Sequence, residues 1–247
     1  MQRVNTFIKI INNLSNQKRT HNPNATSQHT LNPQTAAYIE EMQLWHQKQC
    51  ERALTGEVNL AAFLRPLGYF KELPPSKRLL YEPIKMAHSE EIVSHFASDE
   101  NFFTDPRFRT LDYLLPYLAD MELRLPFRRE GAGMDYVFRL PDGAFAGIFH
   151  LYHVDTVSNG IHKNVFSIGY LVAPNQRGKG LATEAVKHIC RQIQASFPHL
   201  KTVRAFADEH NSASRHLLGK IGFTQVPGTV EEGDELEYQT EVTKMAG

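Results

Sequence analysis

The stretch from Val165 to Ala185 reads VFSIGYLVAPNQRGKGLATEA, and it decides the fold. Six of its first eight residues are β-branched, aromatic or otherwise apolar, which predicts a strand over Val165–Val172. Pro174 ends this strand, because proline cannot donate to a sheet ladder. A helix is predicted next, over residues 181–197, from apolar residues at helical spacing. These are Leu181, Ala185, Ile189 and Ile193.

The loop between this strand and helix carries two glycines and two basic residues, in the order Arg177, Gly178, Lys179, Gly180. A helix N-terminus presents backbone N–H groups without intrahelical partners, together with a dipole equivalent to about +0.5 charge. Glycines allow a ligand to come close to these amides. The loop therefore predicts a phosphate or pyrophosphate site.

Spacing separates three nucleotide-binding interpretations of the loop. A P-loop requires a serine or threonine directly after the lysine, whereas Lys179 is followed by Gly180. A dinucleotide-binding turn requires Gly-x-Gly-x-x-Gly or Ala, and the interval from Gly180 to Ala182 is one residue short. The remaining pattern is Arg-x-x-Gly-x-Ala, which Arg177, Gly180 and Ala182 satisfy.

This pattern resembles the acetyl-CoA pyrophosphate loop of the GNAT superfamily of N-acetyltransferases. A second block, about thirty residues later, also resembles that superfamily, particularly its RimJ/RimL-like branch. It consists of Asn211, Ser214, Leu217 or Leu218, Lys220, Gly222 and Phe223. The resemblance extends over residues 79–244 and is sharpest from Phe166 to Phe223.

The resemblance implies an α/β fold with a mixed sheet, in which two central strands splay apart at a bulge. The pantetheine arm of acetyl-CoA would lie between them, bonded to the backbone of Leu171 and Val172, with a further contact from Asn211. The pyrophosphate would bind the amides of the loop and helix start. These belong to Arg177, Gly178, Lys179, Gly180, Leu181 and Ala182. Arg177 and Lys179 are expected to add charged contacts, although basic loop residues are commonly only solvated.

The resemblance places Ser214 opposite the thioester sulfur, where its hydroxyl would protonate the leaving thiolate. The residues themselves also allow a structural interpretation, since Ser214 is a small residue near a helix start and Asn211 is a good N-cap. An acidic residue often occurs early in the preceding strand of RimJ/RimL-like proteins, but Arg204 stands there. The sequence therefore does not identify the general base. Weaker candidates are Asp208, Glu209, His210, His150 and Tyr152.

The predicted activity is transfer of an acetyl group from acetyl-CoA to a primary amine, by direct attack in a ternary complex. The acceptor would be a protein N-terminus, a lysine side chain or a small-molecule amine. An acidic C-terminal hairpin is either solvated or attractive to a cationic acceptor. Its acids are Glu231, Glu232, Asp234, Glu235 and Glu237. The alternative is a non-catalytic acyl-CoA-binding or protein-interaction module on the same fold.

Composition narrows the possible partners. The 27 basic and 27 acidic residues balance, which argues against a nucleic-acid surface. Two cysteines are too few for a disulfide framework, and no apolar run reaches the length of a transmembrane helix, so the cytoplasm is expected. His150 and His153 are three apart on a predicted strand and point to opposite faces, so no metal is expected. A homodimer is possible.

The chain is expected to divide into an N-terminal extension, residues 1–76, and an N-acetyltransferase domain, residues 77–245. The extension would begin with a basic amphipathic segment, which either touches a membrane surface, acts as a targeting segment, docks on the domain or is partly disordered. An Asn-rich linker and helices over residues 34–54 and 58–64 would follow. The domain is predicted as β-α-α-β-β-β-α-β-α-β-β. Its predicted elements cover residues 78–85, 89–97, 111–123, 134–140, 144–154, Val165–Val172, 181–197, 202–207, Ser212–Lys220 and two strands around residues 233–234.

Overall fold

A computed structural model describes residues 31–55, 73–100, 106–124, 134–152, 157–158, 161–162, 164–231 and 235–245. Its helices are α1, Pro33–Leu54; α2, Ser89–Phe96; α3, Leu111–Ala119; α4, Leu181–Ser196; and α5, Ser212–Lys220. The predicted basic segment and the helix over residues 58–64 lie outside the described residues.

The strands are β1, Leu80–Pro83; β2, Met134–Arg139; β3, Phe145–Tyr152; β4, Val157–Ser158; β5, Ile161–His162; β6, Val165–Val172; β7, Thr202–Asp208; β8, Thr224–Glu231; and β9, Glu235–Glu241. Within the described residues, seven of them form one sheet in the order β1-β2-β3-β6-β7-β9-β8, and β4 pairs only with β5. Every pairing in the large sheet is antiparallel except that of β6 with β7. The predicted mixed α/β sheet is confirmed.

Hydrophobic cores cover both faces of the sheet. On one face, α4 buries its apolar side against the central strands, as Val186 and Ile189 pack with Phe166 and Val203. On the other face, α2 and α3 contribute Phe96 and Leu118, among others, to a second cluster that includes Ile148. Burial on two faces explains why the central strands are nearly continuous apolar runs.

The central strands β6 and β7 separate partway along their length. Their parallel pairing runs from Val165 opposite Thr202 to Ile168 opposite Ala205 and then stops. β6 nevertheless continues to Val172, and β7 continues to Asp208. The sheet therefore opens into a cleft at the carboxyl ends of both strands, which confirms the expected splay.

The bulge expected at the splay is found elsewhere. The register of β6 with β3 is regular from Ser167 to Val172. Register shifts lie instead between β8 and β9, from Gln225 to Val230, and between β2 and β3, next to Phe138. Here β3 and β6 approach so closely that a Cβ on Gly147 would stand 2.0 Å from the carbonyl oxygen of Leu171. Only glycine fits at this point.

Helix α1 docks on α3. The amide of Asn32 donates to Asp112 Oδ1 at 3.0 Å, and Thr35 Oγ1 donates to the Asp112 carbonyl at 3.2 Å. Met42 is buried in a small cluster with Ala119. This helix therefore caps the α2–α3 side of the sheet.

Most predicted elements match the structure, with three differences. The helix predicted over residues 111–123 ends at Ala119 and continues as a π-helical turn, Asp120–Arg124; Pro116 lies inside the regular part. The first strand is shorter than predicted, because only Leu80–Pro83 pairs with β2. The β4–β5 hairpin was not predicted, since two-residue strands leave no periodic signal.

Candidate active site

A groove of about 700 Å³ lies where β6 and β7 separate. Three segments build it: the end of β6, the glycine loop with the start of α4, and the start of α5. Its lining residues include Leu171, Val172, Arg177, Gly178, Gly180, Leu181, Ala182, Asn211 and Ser214. The groove thus brings together Ser214 and every residue predicted to bind acetyl-CoA except Lys179.

The glycine loop adopts a backbone that its two glycines require. Gly178 and Gly180 both have φ of +74°, and Gly180 is the N-cap of α4. A side chain would be strained in this left-handed region. The first amides of α4 have no intrahelical partners, and the dipole of a helix of 16 residues adds positive potential at the loop. This end of the groove suits an anion.

The Arg177 guanidinium is engaged within the protein. Its two terminal nitrogens fork onto the Asp99 carboxylate, with one contact at 3.0 Å, and its Nε donates to the Val172 carbonyl at 3.2 Å. Asp99 is buried, whereas the Arg177 side chain is 34% exposed. Arg177 therefore fastens the glycine loop to β6 and to the segment after α2.

Lys179 and Arg78 hold the loop from the outside. The Lys179 ammonium donates to Gln176 Oε1 at 2.8 Å, and the Lys179 carbonyl accepts from Arg78 Nη1 at 3.0 Å. Arg78 also pairs with Glu184 on the first turn of α4 through Nε, at 2.7 Å. Ser76 Oγ donates to the same carboxylate at 2.7 Å. Sequence reasoning missed this clamp, because its members are about 100 residues apart.

The edge of β6 beyond Ile168 faces the groove, because its pairing with β7 ends there. Leu171 and Val172 lie on this edge and line the groove. The Val172 carbonyl already accepts from Arg177. This unpaired strand edge is the place where the contact with an extended ligand was expected.

Asn211 and Ser214 stand together at the start of α5. Asn211 is the N-cap, and its Oδ1 accepts the Ser214 amide at 3.0 Å, which is the contact expected of a capping asparagine. The Ser214 hydroxyl lies 2.9 Å from the Tyr170 hydroxyl on β6. Burial raises the pKa of Tyr170 to about 12, although the Ser214 hydrogen bond opposes the rise. The phenol is therefore protonated at neutral pH.

A second cavity, of about 450 Å³, adjoins the groove at this hydroxyl pair. It shares Tyr170, Asn211 and Ser214 with the groove. Its remaining walls come from the segment before α3, from α3 itself and from several strands. They are Arg107, Phe108, Tyr117, Asp135, His150, Tyr152, Ile168, Gly169, Phe206, Ala207, Asp208 and Glu235.

A buried hydrogen-bonded cluster forms one wall of this second cavity. Asp135 on β2 lies directly opposite His150 on β3 in the sheet register. His150 Nδ1 stands 2.8 Å from Asp135 Oδ2, and the Tyr117 hydroxyl donates to the same oxygen. The sequence drew attention to His150 alone, because nothing in it connects residues on a helix and two strands.

Arg204, which stands at the position expected to be acidic, is paired with a carboxylate of the neighbouring strand. Its Nε lies 3.1 Å from Glu237 Oε1 on the neighbouring strand β9. Neither residue lines the two cavities described above. Of the acidic hairpin, Glu235 lines the second cavity, and Glu232 and Asp234 lie outside the described residues.

The described part of the chain holds no cluster of three or more His, Cys, Asp or Glu side chains arranged to bind a metal ion. Nor does any helix in these ranges combine the length and apolar character needed to cross a bilayer.

The family model of the acetyltransferase (GNAT) domain matches residues 78–224, which is more than half of the chain. The chain therefore belongs to the GNAT acetyltransferase family and is an acyltransferase, as its sequence predicted. Acetyl transfer from acetyl-CoA to an amine is the activity of this class. No curated protein matches the chain by sequence.

Solved structures share the fold at low sequence identity. RimJ of Mycobacterium smegmatis, in complex with CoA-disulfide, is 18% identical over 72% of this chain and 91% of its own, with a TM-score of 0.56. RimL, a ribosomal L7/L12 α-N-protein acetyltransferase in complex with coenzyme A, is 15% identical, and the match covers 68% of this chain and 97% of RimL with a TM-score of 0.54. Spermidine N-acetyltransferase of Vibrio cholerae, in complex with CoA and spermine, is 17% identical, and the match covers 68% of this chain and 98% of that enzyme with a TM-score of 0.53.

Proposed function

We propose that the chain transfers the acetyl group of acetyl-CoA to a cationic primary amine by direct attack in a ternary complex. One observation carries this proposal: two cavities meet at Tyr170, Asn211 and Ser214. Two reactants entering from opposite sides would meet at the hydroxyl pair. Such an arrangement favours direct transfer, because holding both reactants in place removes much of the entropic barrier.

The groove is the proposed acetyl-CoA site. The loop amides from Arg177 to Ala182 would bind the pyrophosphate, and the open edge at Leu171 and Val172 would bind the pantetheine arm. Arg177 acts in this proposal mainly by holding the loop in place, because its guanidinium is paired with Asp99. Acetyl-CoA supplies an activated acyl group, and the Ser214 hydroxyl stands ready to protonate the departing thiolate.

The second cavity is the proposed acceptor site, and its charges favour a cation. Three carboxylates line it, those of Asp135, Asp208 and Glu235, against the single guanidinium of Arg107 among the described lining residues. Arg107 lies over the Tyr117 ring, 4.5 Å from its centroid. A protonated amine is attracted to such a surface and loses its proton only on reaching the thioester. N-terminal, lysine and small-molecule amines all carry such a positive charge when protonated.

The test follows CoA release from acetyl-CoA with peptides, amino acids, polyamines and aminoglycosides as acceptors. Ser212→Glu adds negative charge to an exposed position of the groove wall, and Ala195→Glu adds the same charge on the far end of α4. We expect turnover with one acceptor class, a severalfold higher KM for acetyl-CoA in Ser212→Glu, and no change in Ala195→Glu. Acetyl-CoA binding without turnover on any amine would favour the non-catalytic module instead.

A further inference from the structure

We propose that His150 is the general base of this acetyltransferase and that Asp135 and Tyr117 fix its ring in the proton-accepting orientation. The inference rests on the proposed amine acetylation and names a residue within it. A protonated amine cannot attack a thioester, so a group in the acceptor cavity must remove a proton first. His150 lines that cavity together with Ser214.

The hydrogen bonds determine which ring nitrogen can act. Asp135 Oδ2 accepts from the Tyr117 hydroxyl and lies 2.8 Å from His150 Nδ1. An ionised carboxylate can only accept, so Nδ1 carries the proton in this contact. In the neutral imidazole, Nε2 is then the nitrogen with a lone pair. The cluster thus selects the tautomer that a general base requires.

Packing holds the imidazole in place. The Phe108 ring lies against it, with the ring centroids 5.2 Å apart. On the β6 side, Gly169 is the register partner of His150, and a Cβ there would already stand 3.4 Å from His150 Cδ2. The His150 side chain is 16% exposed, and that of Asp135 is 4% exposed. A fixed ring next to the cavity is preorganised for proton transfer.

Three other charged groups around the cavity, those of Arg107, Asp135 and Asp208, are less suited to this step. The titratable or charged groups facing the cavity from the neighbouring elements are Arg107, Tyr117, Asp135, Tyr152, Tyr170, Asp208 and Glu235. Asp208 Oδ1 accepts the His210 amide at 2.7 Å in the turn before α5, which gives this carboxylate a structural role. Arg107 cannot accept a proton at neutral pH, and Asp135 already accepts two hydrogen bonds.

The step balances without a further reactant. His150 Nε2 takes one proton from the ammonium, and the neutral amine attacks the carbonyl carbon, forming a C–N bond. The C–S bond then breaks, and the thiolate takes a proton from the Ser214 hydroxyl, which regains one from the nitrogen of the new amide. The imidazolium releases its proton to solvent, so one acetyl group is transferred and one proton is released.

The experiment compares pH profiles of kcat/KM for the full chain, using the acceptor that the panel above identifies. We expect the wild-type kcat/KM to rise with pH along an acidic limb, because a protonated base cannot accept the proton of the ammonium. His150→Gln should lose at least tenfold in kcat and lose this acidic limb, keep its KM for acetyl-CoA, and regain activity with added imidazole. His199→Gln, which alters an exposed histidine before β7, is the matched control.

Asp135→Asn tests the positioning role and remains informative if His150→Gln does not fold. The amide preserves the shape of the carboxylate but can donate to Nδ1, which permits the wrong tautomer. We expect a smaller loss of kcat, with the acidic limb shifted rather than abolished. A wild-type profile without an acidic limb, or His150→Gln within threefold of wild type with an unchanged limb, would overturn the inference and leave the acetyltransferase proposal standing. A wild-type chain that acetylates no amine would overturn both this inference and the proposed function.

Discussion

The hydroxyls of Tyr170 and Ser214 lie 2.9 Å apart, across the point where the two cavities of the molecule meet. Tyr170 reaches this point from β6, and Ser214 reaches it from the first turn of α5. The pair therefore spans the cleft between the splayed strands. Its location depends on the splay, because a regular sheet would place β7 across this opening.

The first prediction concerns this pair. Ser214→Ala should lower kcat by about 10²- to 10⁴-fold with little change in KM, because it removes the proposed proton donor for the leaving thiolate. Tyr170→Phe should cost less, and the double variant should be no slower than Ser214→Ala, because groups that act as a unit are not additive. Steady-state kinetics of CoA release checks this. Multiplicative losses would instead mean that the hydroxyls act independently; Tyr113→Phe, at a side chain 69% exposed, is the control.

The second prediction is a pH dependence. Burial raises the pKa of Tyr170 to about 12, so the phenol keeps its proton over the whole range in which the enzyme can be assayed. Any alkaline limb of kcat below pH 10 must then come from another group. We expect wild type and Tyr170→Phe to show the same alkaline limb of kcat. The measurement is the pH profile of kcat for both proteins, with one acceptor in buffers of constant ionic strength. A limb that disappears only in Tyr170→Phe would show that the phenol titrates in this range.

The third prediction is that Asp99 matters to acetyl-CoA binding although it does not line the groove. Asp99→Ala frees the Arg177 guanidinium and loosens the loop, so it should raise the KM for acetyl-CoA about as much as Arg177→Ala does. Breaking this pair should also cost about 1–3 kcal/mol of stability, less than a fully buried pair because Arg177 is partly exposed. The test measures thermal unfolding and the KM for acetyl-CoA in Asp99→Ala, Arg177→Ala and the double variant. Arg191→Ala is the control. If only Arg177→Ala raises KM, Arg177 contacts acetyl-CoA directly.

The fourth prediction links the pH dependence of stability to Glu184. Burial raises the pKa of this carboxyl, but hydrogen bonds from Ser76 and Arg78 outweigh that effect and hold it below its ordinary value. A carboxyl with a depressed folded-state pKa stabilises the fold above its unfolded-state pKa, about 4.3, and this contribution is lost as pH falls through the folded-state value. Glu184→Gln should therefore be less stable than wild type at pH 7.

The measurement is denaturant unfolding of wild type, Glu184→Gln and the control Glu90→Gln, an exposed carboxylate on α2, from pH 7 to pH 3. The stability gap between wild type and Glu184→Gln should narrow toward the acidic end. A gap that stays constant over this range would mean that the clamp acts through shape rather than through charge.

The sequence predicted the helices, strands and turns whose signals lie within a few neighbouring residues. The strand Val165–Val172 and the helix Ser212–Lys220 were correct to the residue, because apolar periodicity, Pro174 and the N-cap Asn211 are all signals within a few residues. The position of the glycine loop at the start of a helix was predicted for the same reason. The partners of Arg177 and His150 could not be predicted, since Asp99 and Asp135 are 78 and 15 residues away and become neighbours only through the sheet and its helices.

The fifth prediction concerns the close approach of β3 and β6 at Gly147. A Cβ at this position would stand 2.0 Å from the Leu171 carbonyl oxygen and 2.5 Å from the Phe138 ring. Gly147→Ala must therefore push β6 outward, and we expect a loss of at least about 2 kcal/mol of unfolding free energy. The same shift moves Leu171 and Val172, so acetyl-CoA binding should weaken in the fraction that remains folded. Denaturant unfolding and calorimetric titration with acetyl-CoA measure the two effects separately.

Gly219→Ala supplies the matched control. Gly219 lies in α5, and no atom comes within 4 Å of the Cβ that alanine would add. Alanine is the better helix former by up to about 1 kcal/mol, so this variant should be as stable as wild type or more stable, with unchanged acetyl-CoA affinity. If Gly147→Ala also kept wild-type stability, β6 would have to be free to move away from β3. The edge of β6 that faces the groove would then not be a fixed surface, and the proposed role of Leu171 and Val172 in holding the pantetheine arm would lose its structural basis.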